Sequence, residues 1–458
     1  MATIAPLDLL FLLMEAREKP AHVGGLQLYR PPEGTEPGHL GRLHEEAISS
    51  EAPIRSLFTR RVHRAGGFGV PTWVADDRFD LEYHVRHSAL PEPGRIRELL
   101  ALVSRLHGTL LDRNRPLWEA HLIEGLQDGR FALYTKVHYA LVDGVTAMRV
   151  LQDAMSEDPD DLAMPFPWEQ RPRAPRPEPT PRSPWDAALG LVSEARGMPQ
   201  MGASILRGLV SNFREEASAS PFQAPRTMFN VPITGARRFA ADSWPLDRVR
   251  AIASRYGATV NDVVLAMSGG ALRGYLIERG ALPDQPLIAM VPVSLKARGA
   301  DGEAGNAVGA ILCNLGTHLE DPADRLALVQ ESMAHGKRRF EGLSPLQIML
   351  LSSLSVAPAA VSIGPLGKVE LMESLIRPPF NVVISNVPGP RNPLYFRGST
   401  MEGMYPVSVV VDGQAMNITV TSYGNSLDFG IIGCRRTVPH LQRFLDHLEG
   451  DLSGLEKA

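Results

Sequence analysis

Eight prolines fall among the twenty residues Pro165–Pro184, PFPWEQRPRAPRPEPTPRSP. Each fixes its own φ and lacks an N–H donor, so neither a helix nor a central strand accepts this stretch. It reads as an extended, semi-rigid crossover. An acidic turn, Ser156–Asp161, precedes it. The 458 residues therefore divide into an N-terminal lobe over 1–160, a Pro-rich crossover linker over 161–184 and a C-terminal lobe over 185–458. Apolar residues make up 44% of the chain and charged ones 21%, which supplies a core for each lobe and argues against global disorder.

Both lobes alternate helix-like and strand-like patterns, which predicts an α/β (α+β) fold. Helical spacing marks Arg95–His107, Val145–Met155, Asp247–Tyr256, Val260–Arg279, Ala323–Phe340 and Pro439–Leu455. Runs rich in β-branched and aromatic residues mark strands over His22–Tyr29, His121–Ile123, Phe131–His138, Leu287–Val293, Val382–Ser385, Tyr405–Val411, Ala415–Tyr423 and Leu427–Gly433. The late strands follow one another closely, which favours mixed sheets. Within Trp185–Phe213, Ile205, Leu209 and Phe213 share one helix face, fit for a linker helix or for a lid at a membrane surface.

A formal net charge of -4 argues against a strongly basic nucleic-acid binder. Cys313 and Cys434 lie far apart, which makes no disulfide framework and no zinc-finger spacing, and suits a reducing cytoplasm. The apolar run near the N-terminus is too short for a secretory signal, and Gln347–Ile363 is interrupted by serines and a proline. A cytoplasmic protein is expected, free or peripherally attached to a membrane.

The densest chemical signal is VHYALVDG, Val137–Gly144, at the end of a strand and the start of a helix. Read alone, Asp143 and Gly144 form a turn and helix-entry pair, and His138 is a structural histidine at a strand end. The segment resembles the HHxxxDG motif of bacterial wax ester synthase/diacylglycerol acyltransferases. Other blocks match that family in order. They are Leu7, Asp8, Phe11 and Leu12, then His22, Val23 and Gly24, then Pro116, Leu117 and Trp118, then Asn261 and Asp262, and last Ser385–Pro390 (SNVPGP).

The resemblance implies two chloramphenicol-acetyltransferase-like lobes, each a mixed β-sheet flanked by helices, with the active site in a channel between them. It implies transfer of a fatty acyl group from acyl-CoA to a long-chain alcohol or diacylglycerol, with no metal and no cofactor beyond the acyl-CoA substrate. Attachment to the inner membrane or to lipid inclusions goes with such substrates. In the family the second motif histidine is the general base; here that position is Tyr139. A phenol with a pKa of about 10 is a poor base at neutral pH. Three readings of Tyr139 stay open: a substituted form of an active enzyme, a natural member that works slowly or through His138, and a non-catalytic lipid- or acyl-CoA-binding relative. A condensation domain of a peptide-synthesising assembly line is a further alternative, disfavoured by the Pro116–Trp118 and Ser385–Pro390 blocks.

By the same resemblance Asp143 braces the loop and Gly144 lets the backbone pass close to the channel. Asn261 is the candidate oxyanion donor, or else the N-cap of a helix over Asp262–Arg279. Trp118 shapes the channel wall or packs in the core. Ser385–Pro390 is an inter-lobe contact or a plain tight turn, and Leu346–Ile363 a tunnel wall or a buried helix. Lys337, Arg338 and Arg339 are a solvated helix face rather than a phosphate site.

Overall fold

The computed structural model describes residues 2–4, 6–64, 66, 69–142, 144–171, 223–294, 308–340, 348 and 377–458. The first lobe runs β1 (Ala2–Thr3), α1 (Pro6–Met14), β2 (His22–Arg30), α2 (His39–Ser49), β3 (Arg60–His63), β4 (Thr72–Ala75), α3 (Leu81–His84), β5 (Val85–Ala89), α4 (Ile96–His107), β6 (Trp118–Glu124), β7 (Phe131–His138) and α5 (Gly144–Gln152). After 223 come β8 (Arg237–Pro245), α6 (Leu246–Arg255), α7 (Val260–Ile277), β9 (Ile288–Ser294), β10 (Val308–Asn314) and α8 (Pro322–Arg338). The chain ends with β11 (Val382–Val387), β12 (Tyr395–Phe396), β13 (Ser399–Val407), β14 (Met416–Tyr423), β15 (Ser426–Cys434) and α9 (Arg443–Lys457).

Two six-stranded sheets carry the two lobes, in the orders β12-β13-β2-β7-β6-β5 and β10-β9-β11-β14-β15-β8. Each is mixed. β5 lies parallel to β6 in the first, and β11 lies parallel to both β9 and β14 in the second. The expected α/β fold with two lobes, each a mixed sheet with helices, is what the chain adopts. A three-stranded sheet, β1-β4-β3, sits apart.

The division of the chain differs from the expected one in two ways. Residues 395–407 lie beyond the proline-rich stretch, yet β13 pairs with β2 in the first sheet. This strand also crosses β15 of the second sheet. There a Cβ on Gly430 would sit 1.9 Å from the Pro406 carbonyl oxygen, so the contact is made backbone to backbone. Asp428 of β15 accepts the Met404 N–H at 2.8 Å, beside the register shift between Met401 and Gly403. The second departure is in the crossover itself. Phe166 and Trp168 are buried, stacked on each other and, through Trp168, on Trp118. Burying large aromatic rings holds these residues in the first lobe, whatever the prolines after them do. The rest of the proline-rich stretch, and the helix pattern over Trp185–Phe213, lie outside the described residues.

One core cluster runs from α4 and the lower face of the first sheet into the second lobe. α4 packs on β8, and the Phe239 N–H donates to Ser104 Oγ at 2.9 Å. A second cluster fills the other face of the first sheet. The expected strand Phe131–His138 is β7 to the residue. Strand periodicity puts Phe131, Leu133, Thr135 and Val137 on one face and Tyr134, Lys136 and His138 on the other. The first set meets the first-lobe core. The second set forms a buried polar strip.

Candidate active site

β7 ends at His138, and the Leu141 N–H closes a turn on the His138 carbonyl at 2.9 Å. α5 then starts at Gly144, one residue before the expected Val145. Asp143 lies outside the described residues. Gly144 does not need glycine for a left-handed backbone, since its φ is not positive. Among the described residues a Cβ there would meet no atom within 4 Å, so none of them fills the space beside this helix start.

His138 is fully buried. Its Nδ1 accepts the Ala140 N–H at 3.0 Å, which leaves the ring proton on Nε2. Nε2 faces the Glu15 carboxylate, 3.5 Å from Oε1, close enough for its N–H dipole to feel that charge but without a formed hydrogen bond among the described residues. Both ring nitrogens are thus directed into the protein. Tyr139 is half-buried and its ring stacks on Phe11 of α1, with centroids 4.5 Å apart and planes at 29°. Its N–H donates to the Ala21 carbonyl at 2.9 Å.

The strip continues along the sheet. His22 stands opposite His138 in register, and its Nε2 donates to the His107 carbonyl at 2.6 Å. His107 donates from Nε2 to the Ser408 carbonyl at 2.9 Å and accepts the Tyr134 hydroxyl at Nδ1 at 2.8 Å. Ser408 follows β13, so this histidine ties the strip to the chain returning from the second lobe. Burial holds both histidines neutral, pushing His107 down to about 3. Lys136, fully buried, donates to the Leu106 and Thr109 carbonyls at 3.0 Å and pairs with Glu119 at 3.2 Å. Glu119 also meets His121 and Arg86, each at 3.3 Å. Burial alone would raise the Glu119 pKa; His121, Lys136 and Arg86 outweigh it and bring the carboxyl down to about 2.

Across the sheet, Trp118 is buried, donates from Nε1 to the Phe58 carbonyl at 2.8 Å and stacks on His84 at 4.7 Å. Core packing is therefore its main part. It also lines a cavity of about 30 Å³ with Val137, Val142, Ala147, Val150 and Trp168. This apolar cavity lies between α5 and the first sheet, directly after the bend, and all its lining residues come from 58–168.

Asn261 is not a helix cap. α7 begins at Val260, and Thr259 is the N-cap, accepting the Asp262 N–H while Asp262 accepts the Thr259 N–H in a capping box. That leaves the half-buried amide of Asn261 without a hydrogen-bond partner among the described residues. In SNVPGP, Ser385–Val387 finish β11, and the loop after them leads to β12 in the other sheet. A Cβ on Gly389 would lie 2.1 Å from the Ser422 carbonyl oxygen, so this is a tight passage at the start of the crossover between sheets. Lys337 and Arg338 are exposed at the end of α8. Apart from Ile348, the stretch Leu346–Ile363 lies outside the described residues. Among the described residues no cluster of His, Cys, Asp or Glu could hold a metal, and no helix is long and apolar enough to cross a membrane. Cys313 and Cys434 are buried and unpaired.

Residues 4–264 match the family described as the wax ester synthase/diacylglycerol acyltransferase catalytic domain, and residues 304–456 match its C-terminal domain. The chain belongs to this family. Among its relatives is the Mycobacterium tuberculosis protein named "Probable diacyglycerol O-acyltransferase tgs2", 48% identical over 100% of this chain and 99% of that one. The solved wax ester synthase/diacylglycerol acyltransferase from Marinobacter aquaeolei VT8 is 43% identical, superposes with a TM-score of 0.81, and is covered over 100% of this chain and 99% of its own. The first condensation domain of the CDA synthetase shares the fold alone, at 17% identity and a TM-score of 0.56 over 99% of this chain and 95% of that one. Over its described residues the acyltransferase thus shares the two-lobed fold of that solved relative.

Sequence reasoning missed Glu15, His107 and Lys136, and it gave His22 only as part of a matching block, with no role. Glu15 sits in a short connection with no periodicity. Lys136 did carry a signal: a lysine within the strand FALYTKVH falls on the same face as His138.

Proposed function

We propose that this acyltransferase moves a fatty acyl group from acyl-CoA to a long-chain alcohol or to diacylglycerol at the bend 138–144. A base removes the acceptor's hydroxyl proton as its oxygen attacks the thioester carbonyl carbon. The tetrahedral oxyanion then collapses, the C–S bond breaks, and the sulfur takes up the proton held by the base, so that coenzyme A leaves as the thiol. The observation that carries this reading is the position of the motif, at a strand end with space beside Gly144 that none of the described residues fills and an apolar cavity under the helix that follows. The uncommitted amide of Asn261 supports its part as oxyanion donor. Asp143 is the brace of the loop in this reading. Lipid substrates also suit a protein working at an inner-membrane or lipid-inclusion surface.

His138 is a poor replacement base, since its nitrogens face Ala140 and Glu15. Tyr139 therefore governs the rate, and the same tyrosine supports the second reading, a binding relative without transfer activity. Labelled palmitoyl-CoA with hexadecanol or dioleoylglycerol separates the two. Ester and free coenzyme A are expected, at a slow rate; bound palmitoyl-CoA with no ester from either acceptor decides for the binding protein. Asn261→Ala is expected to lower turnover by about 10²-fold while palmitoyl-CoA binding stays within about twofold. Equal loss of both removes Asn261 from the chemistry.

A further inference from the structure

Glu15 follows α1 and its side chain is only 2% exposed. A carboxylate is costly to bury, so its partners reveal its purpose. Oε2 accepts from Arg113 Nε at 3.1 Å and Nη2 at 2.9 Å, while Oε1 accepts the Ala21 N–H at 3.1 Å and faces His138 Nε2. Burial alone would raise its pKa; His138, Ala21 and Arg113 more than offset this and hold it below its ordinary value. The same residue reaches Tyr139 by two routes. Ala21, whose N–H it holds, accepts the Tyr139 N–H through its carbonyl. Phe11, whose carbonyl accepts the Glu15 N–H at 3.1 Å, stacks on the Tyr139 ring.

We propose that Glu15 is the positioning residue of the motif, holding the His138 proton on Nε2 and fixing the side chain at position 139. With the proton on Nε2, Nδ1 stays a bare acceptor for the Ala140 N–H, the first bond of the bend. A histidine in the other tautomer would turn a donor toward Ala140 and spread the turn. Glu15 thus acts through His138 and the backbone, without touching substrate. This inference deepens the acyl-transfer reading and rests on it for its kinetic arm only.

The test uses the full chain, with Glu15→Gln as the primary variant because it keeps the size and the acceptor for Ala21. Glu15→Ala is the second. Imidazole ¹⁵N spectra, with the His138 signals identified by their loss in His138→Gln, are expected to show the Nε2–H form in the parent and a mixture of tautomers in both variants. In a Tyr139→His background, kcat for ester formation is expected to fall about 10- to 100-fold, with the KM for palmitoyl-CoA within about twofold. Melting temperatures of Glu15→Gln and its parent are expected to agree within a few degrees. An unchanged His138 tautomer in both variants overturns the proposal, as does a loss confined to KM. Should the Tyr139→His parent make no ester, the acyl-transfer reading fails, and the imidazole spectra alone decide on Glu15.

Discussion

Each lobe buries a carboxylate beside a buried cation, and the two are shifted in opposite directions. Glu119 in the first lobe is brought down to about 2. Asp451, on α9 of the second, is pushed up to about 6 by burial that its single cation, Arg325, only partly offsets. Glu119 has Lys136, His121 and Arg86 around it, whereas Asp451 Oδ2 has no hydrogen-bond partner among the described residues. The difference lies in the number of partners, since both groups are desolvated. The first sheet is furnished to keep charge in its interior next to the motif. The second lobe, built around the largely apolar and buried α7, gives the buried Asp451 no cation but Arg325 among the described residues.

The largest expected effect is therefore in the first lobe. Lys136→Met leaves Glu119 charged among fewer partners and strips a donor from two carbonyls of the α4 end, at a cost of about 3–5 kcal/mol in urea unfolding. Arg325→Met is expected to cost less, because Asp451 already takes a proton near pH 6. Equal losses would erase the contrast between the lobes.

A smaller effect lies in the pH dependence. Glu119 has a folded pKa below its ordinary 4.5, so its contribution is present above that value and lost as pH falls toward about 2. Asp451 runs the other way. Its folded pKa lies above the ordinary 3.8, so its contribution is present below 3.8 and lost as pH rises through about 6. Asp451→Asn mimics the protonated acid. Its stability relative to the parent is expected to improve by about 2 kcal/mol between pH 4.5 and 7, read from urea midpoints. A flat difference would mean that Arg325 fully compensates the charge.

The smallest effect separates the cap from its neighbour. Thr259→Ala is expected to lower stability by about 1 kcal/mol, and Asn261→Ala by less than about 0.5 kcal/mol. The reverse order in thermal or urea unfolding would return Asn261 to a structural part.

Much of the scaffold was legible because it rests on local periodicity. β7, α4 and the helices of the second lobe lie within a few residues of their patterns. β8 was not found, since its sequence RRFAADSWP has no clean alternation. The return of β13 to the first sheet left no local trace either, because it is fixed by pairing with β2 far away in sequence. At the site the motif residues were legible through resemblance, and their support was not. Thr259, which accepts the Asp262 N–H, takes the cap that was one of two readings of Asn261, and Glu15 showed itself only when the fold brought α1 against the end of β7.

The central claim is that chemistry takes place at residue 139 while His138, fully buried, only holds the turn. Ester formation from palmitoyl-CoA and hexadecanol by Tyr139→His, set against the unaltered chain, tests it most directly. The histidine form is expected to be at least tenfold faster, approaching the ~10²–10⁴ that a general base contributes. Equal rates in the two proteins would contradict the account.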